Sequence, residues 1–230
     1  MYLMLPETTW KYLSGYDMQR KLLITEIFHS IQGEGPYMGI PMMFIRTNRC
    51  NLRCRWCDST YTFTDGKEVP LQELVETASG CMEEWVCLTG GEPLLQREAL
   101  DFVRSVTMAG KSVLIETSGS LPVDEYTKLE NVVIDMDVKT PSSGEEKSLR
   151  LSNLDCLRKT DYIKFVIADE KDYAFASNFI LHNDLRCEAV FQPAWGTEIK
   201  WIAESVLKDH LRVRVLPQLH KLIWGERRGV

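Results

Sequence analysis

No apolar run in this chain of 230 residues approaches the roughly 20 residues needed to cross a bilayer, so a membrane span is not expected. The opening residues lack the charged, then apolar, then small-residue layout of a secretory signal, and a cytoplasmic location is the expectation. Surplus positive charge is also missing. Lys and Arg number 27 against 33 Asp and Glu, a net charge of −6, which argues against a surface built to grip nucleic-acid phosphates. No fixed-period repeat and no low-complexity tract is visible. What the chain does have is 44% hydrophobic and 26% charged residues, a composition that buries a core.

Cysteine usage is more telling. The count is seven, an odd number, and Cys50, Cys54 and Cys57 fall within eight residues. A secreted disulfide scaffold spreads its pairs along a shorter chain, whereas thiols clustered in a cytosolic protein hold a metal or do redox chemistry. Cys81, Cys87, Cys156 and Cys187 stand alone and read as small buried hydrophobes.

Length alone favours one domain. Residues 1–20 lack clear periodicity and read as an N-terminal extension to a domain spanning 21–230. Beyond residue 20, short β-branched or apolar runs alternate with longer amphipathic ones. Strands are expected at 22–28, 42–47, 85–89, 112–116, 132–135, 162–167, 188–192 and 212–216. Helices are expected at 71–83, 98–109, 123–129, 173–182 and 198–208. Leu71, Leu74, Val75 and Ala78 repeat at the spacing of one helix face, and Pro70 suits a helix start.

This alternation implies βαβ units with right-handed crossovers and a mostly parallel α/β sheet. About six units fit, too few for a full eight-fold barrel. A six-stranded partial barrel of TIM-like type is therefore expected ahead of an open doubly wound sheet. Polar residues of chemical interest fall where the strands end, which in parallel α/β folds is where active sites form. One shared pocket is predicted.

Cys50 to Cys57 reads CxxxCxxC. Three thiolates leave a metal centre one protein ligand short, since structural zinc and four-iron clusters are normally closed by four. Either a zinc site is completed from afar, with His29 or His220 as candidates, or an iron–sulfur cluster keeps one iron open. An open position suits a reactive site. Gly90-Gly91-Glu92-Pro93 follows a strand about 35 residues later and taken alone would be a turn.

Together these two motifs resemble the radical S-adenosylmethionine (SAM) enzymes. The resemblance implies a [4Fe–4S] cluster on Cys50, Cys54 and Cys57 whose unique iron chelates SAM and cleaves it reductively to a 5′-deoxyadenosyl radical. A longer ordered set narrows the match: SIQGEG at 30–35, FIR at 44–46, CxxxCxxCD, ETSG at 116–119, DVKTPS at 137–142 and PQLHK at 217–221. This set is similar to the 7-carboxy-7-deazaguanine synthases, over nearly the whole chain from about residue 24. That subgroup implies conversion of 6-carboxy-5,6,7,8-tetrahydropterin to 7-carboxy-7-deazaguanine with loss of ammonia, on the route to 7-deazapurine bases. Hydrogen abstraction from C6 of the pterin is implied, with SAM regenerated.

By the same resemblance, Trp56, Asp58, Gly91, Glu92, Ser118, Lys139, Gln192 and Pro193 are expected at SAM. Ile31, Gln32, Gly33, Thr89 and His220 are expected at the pterin, with Arg46 clamping its carboxylate. The family's magnesium ligand is a Thr directly after Cys-Asp; Ser59 stands there and keeps the hydroxyl that Mg²⁺ favours. The family also sets its terminal carboxylate against substrate. Here residues 226–230 follow Gly225, and that role is not carried to Val230. An electron donor such as flavodoxin or ferredoxin and a homodimer are implied partners, with no direct nucleic-acid or membrane contact. The competing readings are a radical SAM activase acting on a partner protein and a zinc-stabilised binding module.

Overall fold

A computed structural model describes residues 20–230. All of the proposed N-terminal extension except Arg20 therefore lies outside the described residues. The first strands are β1 (Lys21–Ile31), β2 (Pro41–Thr47) and β3 (Lys67–Pro70), followed by α1 (Leu71–Gly80), β4 (Trp85–Gly90) and α2 (Ala99–Met108). Next come β5 (Ser112–Thr117), α3 (Asp124–Thr127), β6 (Val132–Asp137) and β7 (Tyr162–Ile167). The chain finishes with α4 (Glu170–His182), β8 (Glu188–Pro193), α5 (Ile199–Lys208), β9 (Arg214–Val215) and α6 (Leu219–Trp224).

Among the described residues the nine strands form one sheet in the order β3-β1-β2-β4-β5-β6-β7-β8-β9, which does not close. From β2 to β9 every pairing is parallel. The expected six parallel strands are present as β2, β4, β5, β6, β7 and β8. Three features depart from expectation. β1 runs antiparallel to β2, because a short connection can only reverse the chain, and β3 adds an unanticipated edge. The strand expected at 212–216 shrinks to two paired residues. The C-terminal helix α6, too short for a periodic signal, was not expected.

Helix limits follow local chemistry. α4 starts three residues earlier than its apolar pattern because Asp169 accepts hydrogen bonds from the backbone N–H groups of Lys171 and Asp172, both at 3.0 Å. The helix expected at 123–129 is a single turn.

The two faces of the sheet differ, and this decides the architecture. One face carries Met43, Ile45, Val86, Leu88, Val113, Ile115 and Ile134, buried against Leu74 and Val75 of α1, Phe102 and Val106 of α2 and Ile202 of α5. The opposite face buries Met42, Phe44, Cys87, Leu114, Val133, Tyr162 and Val190, a cluster that includes no residue of these helices. A doubly wound sheet needs helices on both faces. Helices on one side only, over a parallel sheet with a filled inner face, is the partial-barrel arrangement.

Strand alternation then builds the site. On the inner face the N-terminal half of each strand contributes an apolar residue, and two positions on comes a polar one. Phe44 is followed by Arg46, Cys87 by Thr89, Leu114 by Glu116, Val133 by Asp135 and Asp137, Tyr162 by Lys164, and Val190 by Gln192. Cross-strand register lines them up, with Arg46 opposite Thr89 and Asp137 opposite Lys164. An apolar floor thus carries a polar rim at the carboxyl ends of the strands.

Candidate active site

The rim surrounds a cavity of about 540 Å³. The loop after β2 brings all three clustered thiols, Cys50, Cys54 and Cys57, to its wall. Backbone bonds fix this loop: Arg49 N–H donates to the Thr62 carbonyl at 2.6 Å and Arg55 N–H to the Ser143 carbonyl at 2.9 Å. The Leu52 N–H points at Cys50 Sγ, 3.4 Å away, a donor that favours a thiolate. Burial opposes this, pushing Cys50 up and Cys54 up to about 11, with Lys139 nearby pulling both back. Keeping these thiols ionised near neutral pH therefore calls for the positive charge of a metal centre.

The Gly-Gly pair has a packing role as well as its expected ligand role. A Cβ on Gly91 would sit 2.1 Å from the Arg49 carbonyl oxygen, so the β4 loop lies directly against the cysteine loop only because Gly91 lacks a side chain. Glu92 is fully buried and does not line the cavity. One of its oxygens accepts from Leu94 N–H and Thr117 Oγ1, the other from Ser118 N–H and Ser118 Oγ, at 2.6–3.1 Å. Glu92 thus ties the end of β4 to the end of β5 and sets the position of Ser118.

Lys139 Nζ stands 3.1 Å from Asp137 Oδ2 and 5.5 Å from the centre of the Trp56 ring. Burial would lower its pKa, but Asp137 and the Cys54 sulfur together outweigh that and raise it. Several buried polar atoms here have no protein partner: Trp56 Nε1, Asp137 Oδ1 and both amide atoms of Gln192. Groups of this kind mark a site completed by a ligand.

Opposite them, Gln32 Nε2 donates to Glu116 Oε1 at 3.0 Å and Thr89 Oγ1 to Glu116 Oε2 at 2.6 Å. Glu34 accepts from Lys164 Nζ at 2.5 Å and from Gln218 Nε2 at 2.8 Å. Lys164 also reaches Asp135 Oδ2 at 3.0 Å. One ammonium thus serves two buried carboxylates. Burial acts to raise both; at Glu34 it is overcome by Lys164, His220 and the Gln218 hydrogen bond together, and the carboxyl is lowered, whereas at Asp135 burial prevails and pushes it up to about 7.

α6 closes this side. Leu219 N–H donates to the Gly33 carbonyl at 2.8 Å, and a Cβ on Gly33 would meet His220 Nδ1 at 2.0 Å. Lys221 Nζ pairs with Asp58 at 3.1 Å, and Ser59 Oγ donates to the same carboxylate at 2.9 Å. Arg46 Nε donates to Glu26 at 2.7 Å, leaving its terminal nitrogens free among the described residues to meet an anion.

A family model of the radical SAM superfamily matches residues 44–160. A 7-carboxy-7-deazaguanine synthase from Thermoplasma acidophilum is 53% identical over 209 residues, covering 91% of this chain and 100% of its own. The chain belongs to the 7-carboxy-7-deazaguanine synthase family of radical SAM enzymes. A synthase from Koribacter versatilis is 42% identical over 90% of this chain and 99% of its own. The crystal structure of QueE from Escherichia coli superposes with a TM-score of 0.72 at 23% identity, covering 87% of this chain and 95% of that one, and supports the partial-barrel fold.

For a synthase of this family the donor set fits a cluster better than a single ion. Three thiols on one loop, with no fourth cysteine beside them in the sequence, suit a cluster that keeps one iron open rather than a closed four-ligand zinc site. His29, one zinc ligand considered from sequence, instead pairs with Glu83 at 2.8 Å on the exposed part of β1, away from the cavity. Of the four cysteines expected as buried hydrophobes only Cys87 is buried; Cys81, Cys156 and Cys187 are half-buried and pack against the edge of the main core.

Of the residues expected at SAM or pterin, Ile31, Gln32, Gly33, Arg46, Trp56, Asp58, Thr89, Gly91, Ser118, Lys139 and His220 all line the cavity, as does Ser59, expected at magnesium. Glu92, Gln192 and Pro193 lie behind its wall. Val230 and Glu226, to which no role was carried, do reach it. Sequence reasoning missed Glu34, Glu116, Asp135 and Lys164 as site residues. Their signal was a charge two positions from an apolar inner-face residue for the three in strands, and the QGEG turn for Glu34.

Proposed function

We propose that this chain binds 6-carboxy-5,6,7,8-tetrahydropterin and SAM together in the cavity at the carboxyl ends of β2 to β8, and contracts the pterin to 7-carboxy-7-deazaguanine with loss of ammonia. The observation that carries this reading is that three thiols and a pterin-matched set of polar groups face one cavity. When bound, the cluster and SAM supply the radical chemistry, while the protein supplies position and exclusion of water.

Each side chain has a task. Cys50, Cys54 and Cys57 hold the cluster. The unpartnered atoms of Trp56 and Asp137 belong to residues lining the SAM side, with Gly91, Asp58, Ser118 and Lys139 beside them and Glu92, Gln192 and Pro193 setting its walls. Gln32, already oriented by Glu116, pairs with the amino-pyrimidinone edge of the pterin together with Ile31, Gly33 and Thr89. Arg46 offers its terminal nitrogens to the substrate carboxylate in bidentate fashion. His220, seated against Gly33, closes that side.

Ser59 is the proposed protein ligand to Mg²⁺, which would bridge to the substrate carboxylate. An iron–sulfur or flavin electron donor, a homodimer and a cytoplasmic setting complete the reading. All seven cysteines are free thiols, in keeping with a reducing compartment.

The deciding experiment is anaerobic reconstitution followed by iron and sulfide analysis and turnover with SAM and the carboxypterin. A four-iron cluster and a product lighter by one ammonia are expected; a cluster-loaded protein that never cleaves SAM would overturn the reading. Rates that do not change between chelated and magnesium-replete assays would remove Ser59 from its role.

A further inference from the structure

β1 changes faces within a few residues. Leu22 and Ile24 belong to the core beneath the helices, yet Glu26 stands opposite Arg46 of β2. Strict alternation would keep Ile24 and Glu26 on one face. The pairing shifts by one residue between them, a bulge that turns Glu26 to the side of the cavity-lining Arg46. The bulge thus delivers a carboxylate to the guanidinium proposed to grip the substrate. Arg46 is anchored twice: Nε donates to Glu26 Oε1 at 2.7 Å, and the guanidinium carbon lies 5.6 Å from the centre of the Phe28 ring.

Glu26 orients this fork but also cancels much of the positive charge that an anionic ligand seeks. Two groups from elsewhere in the chain act on Glu26. Tyr61 Oη, from the turn after the cysteines, donates to the same Oε1 at 2.9 Å. The Arg228 guanidinium covers the Tyr61 ring at 4.0 Å, and a Cβ on Gly229 would stand 3.8 Å from Glu26 Oε2. Arg228 and Gly229 lie in the segment after α6, which also brings Glu226 and Val230 to the cavity. A second guanidinium thus joins the cluster and offsets the carboxylate. Neither Tyr61 nor Arg228 lines the cavity, so any effect they have on a ligand passes through Glu26 and Arg46.

We propose that Tyr61 and Arg228 are positioning residues for the carboxylate clamp. The segment after α6 latches on Tyr61, Tyr61 holds Glu26, and Glu26 fixes the fork of Arg46 toward a carboxylated ligand. The proposal rests on the reading of Arg46 as the clamp for the substrate carboxylate. It adds that selection of the carboxylated pterin depends on two residues that do not touch it, one of them 182 positions from Arg46 in the chain.

The test measures Kd anaerobically on reconstituted holoenzyme with SAM and no reductant, so that nothing turns over. The probes are the carboxypterin and tetrahydropterin, which lacks the carboxylate. Tyr61→Phe keeps the ring and removes the hydrogen bond to Glu26; Arg228→Gln removes the stacked cation. Each is expected to raise the Kd for the carboxypterin about three-fold and to leave that for tetrahydropterin within about 1.5-fold. In an Arg46→Gln background either substitution is expected to add less than about 1.5-fold, because the residue it acts through is gone. Unchanged carboxypterin binding, equal weakening for both pterins, or a full loss in the Arg46→Gln background overturns the proposal. If Tyr61→Phe loses iron, Arg228→Gln, outside the cysteine loop, decides by the same comparisons. Trypsin cleavage after Arg228, read by intact mass, reports the latch without any pterin. It is expected to run about three-fold faster in Tyr61→Leu than in wild type, and equal rates overturn the latch. Wild type that binds no carboxypterin would sink the functional reading instead, and leave the trypsin measurement to judge the latch.

Discussion

Lys164 Nζ lies 2.5 Å from Glu34 Oε2 in the cavity wall, although 130 residues separate them in the chain. The same ammonium meets Asp135 at 3.0 Å, so its removal takes the shared cation from two buried carboxyl groups and leaves only His220 acting on Glu34. Lys164→Met is expected to lower stability by about 3–5 kcal/mol, the range for breaking a buried pair. Adding Asp135→Asn is expected to restore part of that loss. Urea unfolding of the two variants checks this, and a double variant no more stable than Lys164→Met would contradict the shared-cation account.

Asp135 also gives stability a pH dependence. Its carboxyl titrates near 3.8 when unconstrained and is pushed up to about 7 by burial in the fold. Between those values the folded chain holds a proton that the unfolded chain has released. Stability contributed by this group is therefore full below about pH 4 and falls as pH rises toward 7, by at most about 1.4 kcal/mol per pH unit. Glu34 acts oppositely: lowered in the fold, it contributes above its usual range and loses stability as pH falls below about 4.5. Comparing urea midpoints from pH 5 to 7, wild type should decline while Asp135→Asn stays flatter; parallel lines would refute the assignment.

The contact between Gly91 and the Arg49 carbonyl makes a steric prediction. Gly91→Ala must push the cysteine loop aside, since backbone cannot yield as a flexible side chain can. Reconstituted iron content is expected to fall at least about two-fold, with a loss of stability of about 2 kcal/mol. Gly80→Ala, at the end of α1 where a Cβ meets nothing within 4 Å, is expected to be neutral or stabilising by up to about 1 kcal/mol. Iron analysis and thermal melts on both variants separate the outcomes; normal iron in Gly91→Ala would show the loop to be more compliant than its packing implies.

Arg46 tests the proposed carboxylate clamp. Its Nε is committed to Glu26, so only the planar fork can present two further donors to an anion. Arg46→Lys keeps the charge and loses the fork. The KM for the carboxypterin is expected to rise about 10-fold with kcat changed less than about three-fold. A change confined to kcat would instead place Arg46 in a step after binding.

Much of this was legible in the chain itself. The three thiols sit within one loop, so their convergence needs only local backbone, and the alternation of short and long apolar patterns dictates parallel strands with helices between. Period-two alternation even marks Glu116, Asp135 and Lys164, because a charge in an otherwise apolar strand must find a partner or a ligand. The pairings themselves could not be read. That Lys164 serves Glu34 and Asp135, that Glu26 holds Arg46, that Gln218 and His220 close over the QGEG turn and that Lys221 meets Asp58 depend on cross-strand register and on where α6 lands. The one-sided placement of helices was likewise decided by tertiary packing. Local spacing sets which groups a segment can offer; only the folded sheet sets which of them meet, because these contacts bridge stretches of chain that carry no information about one another's position.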